Sequence, residues 1–337
     1  VRQRGLELPA FKPPWWLARP TLISGHTQTL WSPLYARRTA DPKPVFRRQR
    51  WHTPDGDFVD ADWLDTPSQT PENAPLLVLF HGLEGSSNSH YAQAFADTCR
   101  RHGWRLVVPH FRGCSGTLNY APRAYHSGDH EEVGWMLSQC RQAHAGPLWA
   151  AGVSLGGNAL LRWAQEAGTS AASRVKGVAA ISAPLDLMIS GHALGQGFNR
   201  QVYNRIFLRT MKPKALRKLE QYPGLFERQA LLASRDLYEF DNVFTAPLHG
   251  FKNTDDYWRR ASAKPHLRDM ALPTLVLNAL NDPFVPPAAL PQPHEVGPWV
   301  TLWQPAQGGH VGFPSGAWPA HVLTLPESIL NWMSAHG

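Results

Sequence analysis

The chain has 337 residues, with 33 Lys or Arg against 26 Asp or Glu and a net charge of +7. That length is more than one compact core needs and less than two full domains need, so one domain with a large insertion is expected. No apolar run nears the ~20 residues that span a bilayer. No basic–aromatic pattern points to nucleic acid, and three cysteines without C-x-x-C spacing give neither a disulfide framework nor a zinc site.

Residues 1–45 are rich in Pro and Trp and only weakly periodic, which reads as an arm laid over a core. The opening "VRQRGLELPAFKPPWW" is basic but lacks the apolar segment of a secretion signal. Together with the cysteine usage, this leads to the expectation of a cytoplasmic protein. "FRRQRWHTPDGDFVDADWL" alternates on either side of Pro54-Asp55-Gly56 and predicts a β-hairpin. The rhythm then changes to short unbroken apolar strands, at 76–80, 105–109, 148–153 and 175–182. Helical patterns over 89–102, 129–143 and 155–167 separate them. Such alternation predicts a mostly parallel sheet of about eight strands, covered by helices on both faces. Two further strands, 273–280 and 299–303, precede a terminal helix over roughly 319–335. The stretch between 183 and 272 is far longer than an ordinary connection and must carry structure of its own. The expected organisation is therefore an arm at 1–45, a core at 46–183 and 266–337, and an inserted helical lid at 184–265.

"AAGVSLGGNALLRWA" places Ser154 between glycines, directly after a strand and directly before a helix. Glycines alone could make a plain tight turn, but the strand–turn–helix setting is that of a nucleophile elbow. A serine nucleophile needs a base and an acid, which follow it in that order in such a sheet. His310, in the Gly-rich "PAQGGHVGF" after the last strand, is the candidate base. Asp282, in "LNALNDPFVP" after the penultimate strand, is the preferred acid, and Asp186 in "ISAPLDL" is its competitor. An oxyanion needs two backbone donors. The Leu155 amide follows the nucleophile, and the Leu83 amide lies in "HGLEGSSNSHY" after the first parallel strand.

These segments resemble the α/β-hydrolases, and more narrowly their YheT-like branch, over nearly the whole chain. The resemblance rests on "GHTQTLW", "LFHGLEGSSNSHY", "PHFRGCSG", "AYHSGD", "GVSLGGNALL", "RDLYEFDNVFTAPLHGFKNTDDYW", "NALNDPFVP" and "GGHVGF". It implies a serine hydrolase acting on carboxylic esters of lipid type, with Ser154, Asp282 and His310 as its triad. A thioesterase or amidase with the same triad is the alternative among enzymes, and a non-catalytic binding protein of this fold is the alternative outside them. No cofactor or metal is expected.

"FRGCSG" is expected to be a structural loop with Cys114 as a small buried residue, and "YHSGD" to cap the next helix through Ser127 or Asp129. "DNVFTAPLHGF" is expected to form a rigid base for the lid, with Asp241 outside the chemistry. Between Asp186 and Glu220 there is no acidic residue, yet Arg200, Arg205, Arg209, Lys212, Lys214, Arg217 and Lys218 fall there. A solvated basic lid helix accounts for this, and so does contact with an anionic lipid surface. The expected partners are thus an ester substrate and an anionic membrane face, without nucleic acid.

Overall fold

The structure, a computed structural model, describes residues 11–19, 23–40 and 42–337. Parts of the expected N-terminal arm, 1–10, 20–22 and 41, lie outside the described residues. Helices α1 (Trp15–Ala18) and α2 (Ser24–Leu34) precede a hairpin of β1 (Phe46–His52) and β2 (Phe58–Leu64). There follow β3 (Leu76–Phe80), α3 (His90–Arg101), β4 (Arg105–Pro109), α4 (His130–Ala143), β5 (Leu148–Val153), α5 (Leu155–Ala167) and β6 (Val178–Ile181).

The chain between β6 and β7 (Thr274–Leu277) carries helices joined by turns and no strand among the described residues. It holds α6 (Leu187–Leu194), α7 (Gly197–Asn199) running through a wide turn into α8 (Arg205–Gln221), α9 (Arg228–Ala233), α10 (Leu237–Val243), α11 (Thr245–Leu248) and α12 (Thr254–Ala261). Strand β8 (Val300–Trp303) and α13 (Thr324–His336) complete the fold. The last helix begins later than its periodicity suggests, because Ser315 and His321 first pair across a turn. Among the described residues no helix is long and apolar enough to cross a membrane.

One sheet carries all eight strands in the order β1-β2-β4-β3-β5-β6-β7-β8, antiparallel at β1, β2 and β4 and parallel from there on. Alternation along each strand divides the core. Leu76, Val78 and Phe80 pack with α4 and α5 on one face, while Leu77 and Leu79 pack with α3 and α13 on the other. Both faces are covered, so β3, β5 and β6 are buried along their whole length. That is why they read as unbroken apolar runs instead of alternating ones. From β3 the chain moves one way to β4 and then returns past β3 to β5. Loops after β3 and β5 therefore diverge, leaving a crevice at the carboxyl ends of those strands, where open α/β sheets bind ligands.

Asn158 of α5 anchors the end of the helical insertion. Its amide donates to the Ser127 and Ala261 carbonyls, each at 2.8 Å, and its oxygen accepts from the Ala263 N–H at 3.0 Å. The expected cap of α4 differs in detail. Asp129 occupies the position before the helix, but its carboxylate pairs with Arg123 at 2.6 Å, and no side chain caps the first turn. A guanidinium offers a charge-assisted bond stronger than a backbone amide does, and the carboxylate takes it.

Candidate active site

Ser154 stands at the seam between β5 and α5 with φ 52° and ψ −119°. A non-glycine residue in this region carries backbone strain of about 1–3 kcal/mol. The surroundings hold it there. Its N–H donates to Ile181 O at 2.8 Å, and its carbonyl accepts from Gly157 and Asn158 at the start of the helix. The glycine after Leu155 is a steric necessity, since a Cβ on Gly156 would sit 2.4 Å from His81 O. The first turn of α5 thus touches the end of β3 backbone to backbone.

His310 Nε2 lies 2.9 Å from Ser154 Oγ, and its Nδ1 lies 2.9 Å from Asp282 Oδ2. The other Asp282 oxygen accepts the Phe284 N–H at 2.8 Å, which fixes the carboxylate plane. The Phe284 ring stacks on the imidazole at 4.1 Å between centroids and restricts its rotation. Asp186, the competing acid, does not enter this group. It sits at the start of α6 and accepts the Ile189 N–H at 3.0 Å as a helix cap.

The Leu83 and Leu155 amides donate to no acceptor among the described residues, and both residues line the same cavity as Ser154 and His310. The direction of the Leu83 N–H has an identifiable cause. In a planar trans peptide the carbonyl and the following N–H point opposite ways. Gly82 O is held at 2.9 Å by Gly85 N–H and at 2.8 Å by His81 Nδ1, so the Leu83 N–H faces away from both.

His81 must carry its proton on Nδ1, because its Nε2 accepts the Phe111 N–H at 3.0 Å. Burial holds its pKa down to about 3, so it stays neutral across the working range. In the sequence, "HG" after "LLVLF" points to a backbone that approaches the substrate, and it assigns the His81 ring no role. The imidazole's orienting role depends on Phe111, which is adjacent only in the fold.

Next along this loop, Glu84 adopts φ 57°. Its N–H donates to Tyr125 Oη at 2.9 Å, and its carboxylate meets both Tyr125 and Lys214 of α8, the latter at 2.9 Å. The stripe of seven basic residues is therefore not one surface. Lys214 pairs with Glu84, Lys212 donates to the Leu232 and Ser234 carbonyls, and Lys218 is buried, donating to Asn119 O and Ala121 O. Arg205, Arg209 and Arg217 are exposed, and half-exposed Arg200 lies 3.8 Å from Asp236.

The cavity above Ser154 has a volume of about 130 Å³, and its wall is mainly apolar, with Leu155, Leu187, Phe207, Phe240, Phe244 and Phe284 prominent. A cavity of about 150 Å³ holds one benzene, so the space suits a small apolar group. Cys114 takes no part. Burial pushes its thiol up to about 12, far from a reactive thiolate. In "FRGCSG", Arg112 is spent on Asp55, Asp57 and Glu132, as a structural loop requires.

Asp241 lines the cavity, accepting from Trp258 Nε1 at 2.9 Å and Thr245 Oγ1 at 2.6 Å. Burial pushes its carboxyl up to about 6. The folded-state pKa lies above the unfolded value, so the associated stability is complete below about pH 4 and lost as pH rises through 6. Asp241→Asn keeps an oxygen toward Trp258 Nε1 and turns its NH₂ to donate to the Thr245 hydroxyl. It is expected to flatten the fall in urea midpoint between pH 4 and 6, and an unchanged slope would place the titration elsewhere.

Residues 75–317 match the family described as alpha/beta hydrolase fold. The chain belongs to that family. This hydrolase is 39% identical over 315 residues to YheT of Escherichia coli (strain K12), provisionally named an esterase, covering 92% of this chain and 90% of that one. That degree of identity puts it in the YheT-like branch. It is 27% identical over 317 residues to "Phospholipase ABHD3" of Homo sapiens, covering 92% of this chain and 76% of the relative. Among solved structures, mouse "Alpha/beta hydrolase domain-containing protein 10" superposes with a TM-score of 0.53 at 16% identity, over 86% of this hydrolase and 100% of that chain. That likeness speaks to the fold alone.

Proposed function

We propose that this hydrolase is a serine esterase that cleaves carboxylic esters with an apolar acyl group through an acyl-enzyme. The observation that carries the reading is the chain of contacts from Ser154 Oγ to His310 Nε2 and from His310 Nδ1 to Asp282, beside an apolar cavity. With the proton on Nδ1 held toward Asp282, the Nε2 lone pair faces the Ser154 hydroxyl. Ser154 attacks the ester carbonyl carbon while His310 takes its proton. The Leu83 and Leu155 amides hold the oxyanion, aided by the amino end of α5. Collapse of the tetrahedral species breaks the bond to the alkoxy oxygen, which leaves with the proton from His310. Water, deprotonated by the same imidazole, then releases the acid and restores Ser154.

The helices of 184–265 are proposed as a lid on a core of 46–183 and 266–337, with the N-terminal arm packed beside it. In support, Leu187, Phe207, Phe240 and Phe244 of this segment wall the cavity. Exposed Arg205, Arg209 and Arg217, with exposed Ile206 and Phe198 nearby in the chain, form the part of the lid proposed to meet anionic lipid. Three buried free thiols fit a reducing cytoplasm.

One experiment tests substrate and surface together. Esters and thioesters of graded acyl length are assayed as monomers and in anionic or neutral vesicles, at low and high salt. Short-chain oxygen esters should turn over fastest as monomers. Anionic vesicles should raise turnover of longer chains at low salt only, because exposed charges are screened beyond about 10 Å at 0.1 M. Faster thioester turnover would replace the esterase reading, and equal rates with both vesicle types would remove the lipid contact.

A further inference from the structure

Helix α2 lies outside the matched segment 75–317, yet it is built into the turn that carries His310. Three successive amides of that turn are each held by a side-chain oxygen. Gly308 N–H donates to Gln28 Oε1 at 2.8 Å, Gly309 N–H to Asn281 Oδ1 at 2.9 Å, and His310 N–H to Thr29 Oγ1 at 2.8 Å. Two of these acceptors belong to α2, and the third is the neighbour of Asp282.

The acceptors are themselves bound. Thr29 Oγ1 donates to Gly25 O at 2.6 Å. Gln28 Nε2 donates to Gln307 Oε1 at 2.6 Å and Leu17 O at 3.2 Å, and Asn281 Nδ2 donates to Gln28 Oε1 at 3.1 Å. Gln28 is fully buried, Asn281 and Gln307 are partly buried, and a polar network with its members satisfied is stiff. The backbones are pressed together as well. A Cβ on Gly25 would lie 2.0 Å from Asn281 O, and one on Gly309, at φ +59°, would lie 2.8 Å from Gly25 O.

We propose that α2 is a positioning element of the reaction, with Thr29 and Gln28 setting the His310 turn and hence the reach of the imidazole to Ser154. The proposal rests on the triad reading above. A helix that only filled space beside the turn would offer apolar side chains there. This one presents an acceptor to an amide on either side of Gly309, whose own amide is held by Asn281. An error of 1 Å in such a group costs about 10²-fold in rate, so the effect belongs in kcat and not in substrate binding.

The test compares Thr29→Val, Thr29→Ser and Gln28→Met in the full chain, reading kcat and KM for a short-chain p-nitrophenyl ester below the unfolding temperature. Thr29→Val removes the acceptor at constant shape and should lower kcat by about 10–100-fold, with KM within about twofold. Thr29→Ser keeps both hydroxyl bonds and should recover most of the rate. Gln28→Met should act like Thr29→Val, and it decides the matter if Thr29→Val does not fold. Wild-type kcat in either folded variant, or Thr29→Ser as slow as Thr29→Val, would overturn the proposal. Ser154→Ala runs alongside. If it is inactive while Thr29→Val is fully active, only this inference fails, whereas an active Ser154→Ala would remove the triad reading beneath it.

Discussion

Ser154→Ala should abolish covalent labelling by a fluorophosphonate and lower ester turnover by about 10⁶-fold, the scale seen when a triad hydrolase loses its serine. The probe reacts with a hydroxyl only where a base accepts its proton and amides accept the charge on the phosphoryl oxygen. Ser154 is placed for this by its φ of 52°, which turns Oγ out of the strand to within 2.9 Å of His310 Nε2. Replacing it relaxes no contact beyond that bond, so the folded state should be retained or slightly stabilised. Labelled protein is separated by mass spectrometry after digestion. Undiminished labelling in the variant would mean that another residue is the nucleophile.

Asp282→Asn should lower kcat by about 10⁴-fold while leaving the fold intact, and the geometry gives the reason. Asp282 Oδ1 accepts the Phe284 N–H at 2.8 Å. An asparagine must keep its oxygen toward that amide, which turns its NH₂ toward His310 Nδ1. Two N–H groups cannot face each other, so the imidazole proton moves to Nε2 and the lone pair that faced Ser154 is lost. Asp186→Asn is the matched control. Asparagine caps a helix about as well as aspartate, so this variant should keep both activity and stability. The reverse pattern in kcat would reassign the acid to Asp186.

Much of this was legible in the residues themselves, for a local reason. Strands buried on both faces must be apolar throughout, so "LLVLF" and "LWAAGV" by themselves mark a covered parallel sheet. The elbow was equally local, because a Cβ at Gly152 would lie 2.3 Å from Gly156 O, a close approach within one turn of Ser154. His310 and Asp282 could be chosen because chain order maps onto strand ends in a wound sheet. Distances between them could not be read this way, and neither could the choice of oxygen on Asp282.

Tertiary structure alone decided which polar groups face which. The basic stripe after Asp186 looked uniform, but Lys218 is buried beneath the Asn119 and Ala121 carbonyls, Lys214 holds Glu84, and Arg205 faces solvent. Charge composition cannot distinguish these, since the partner of each cation lies on a different element far away in the chain. His81 is neutral because it is buried, and its proton sits on Nδ1 because the Phe111 amide donates to its other nitrogen. Thr29 reaches His310 across 281 positions of sequence. A hydrogen bond of that span leaves no periodic trace in the chain, because it is specified by how helix and sheet pack and not by any repeat along the backbone.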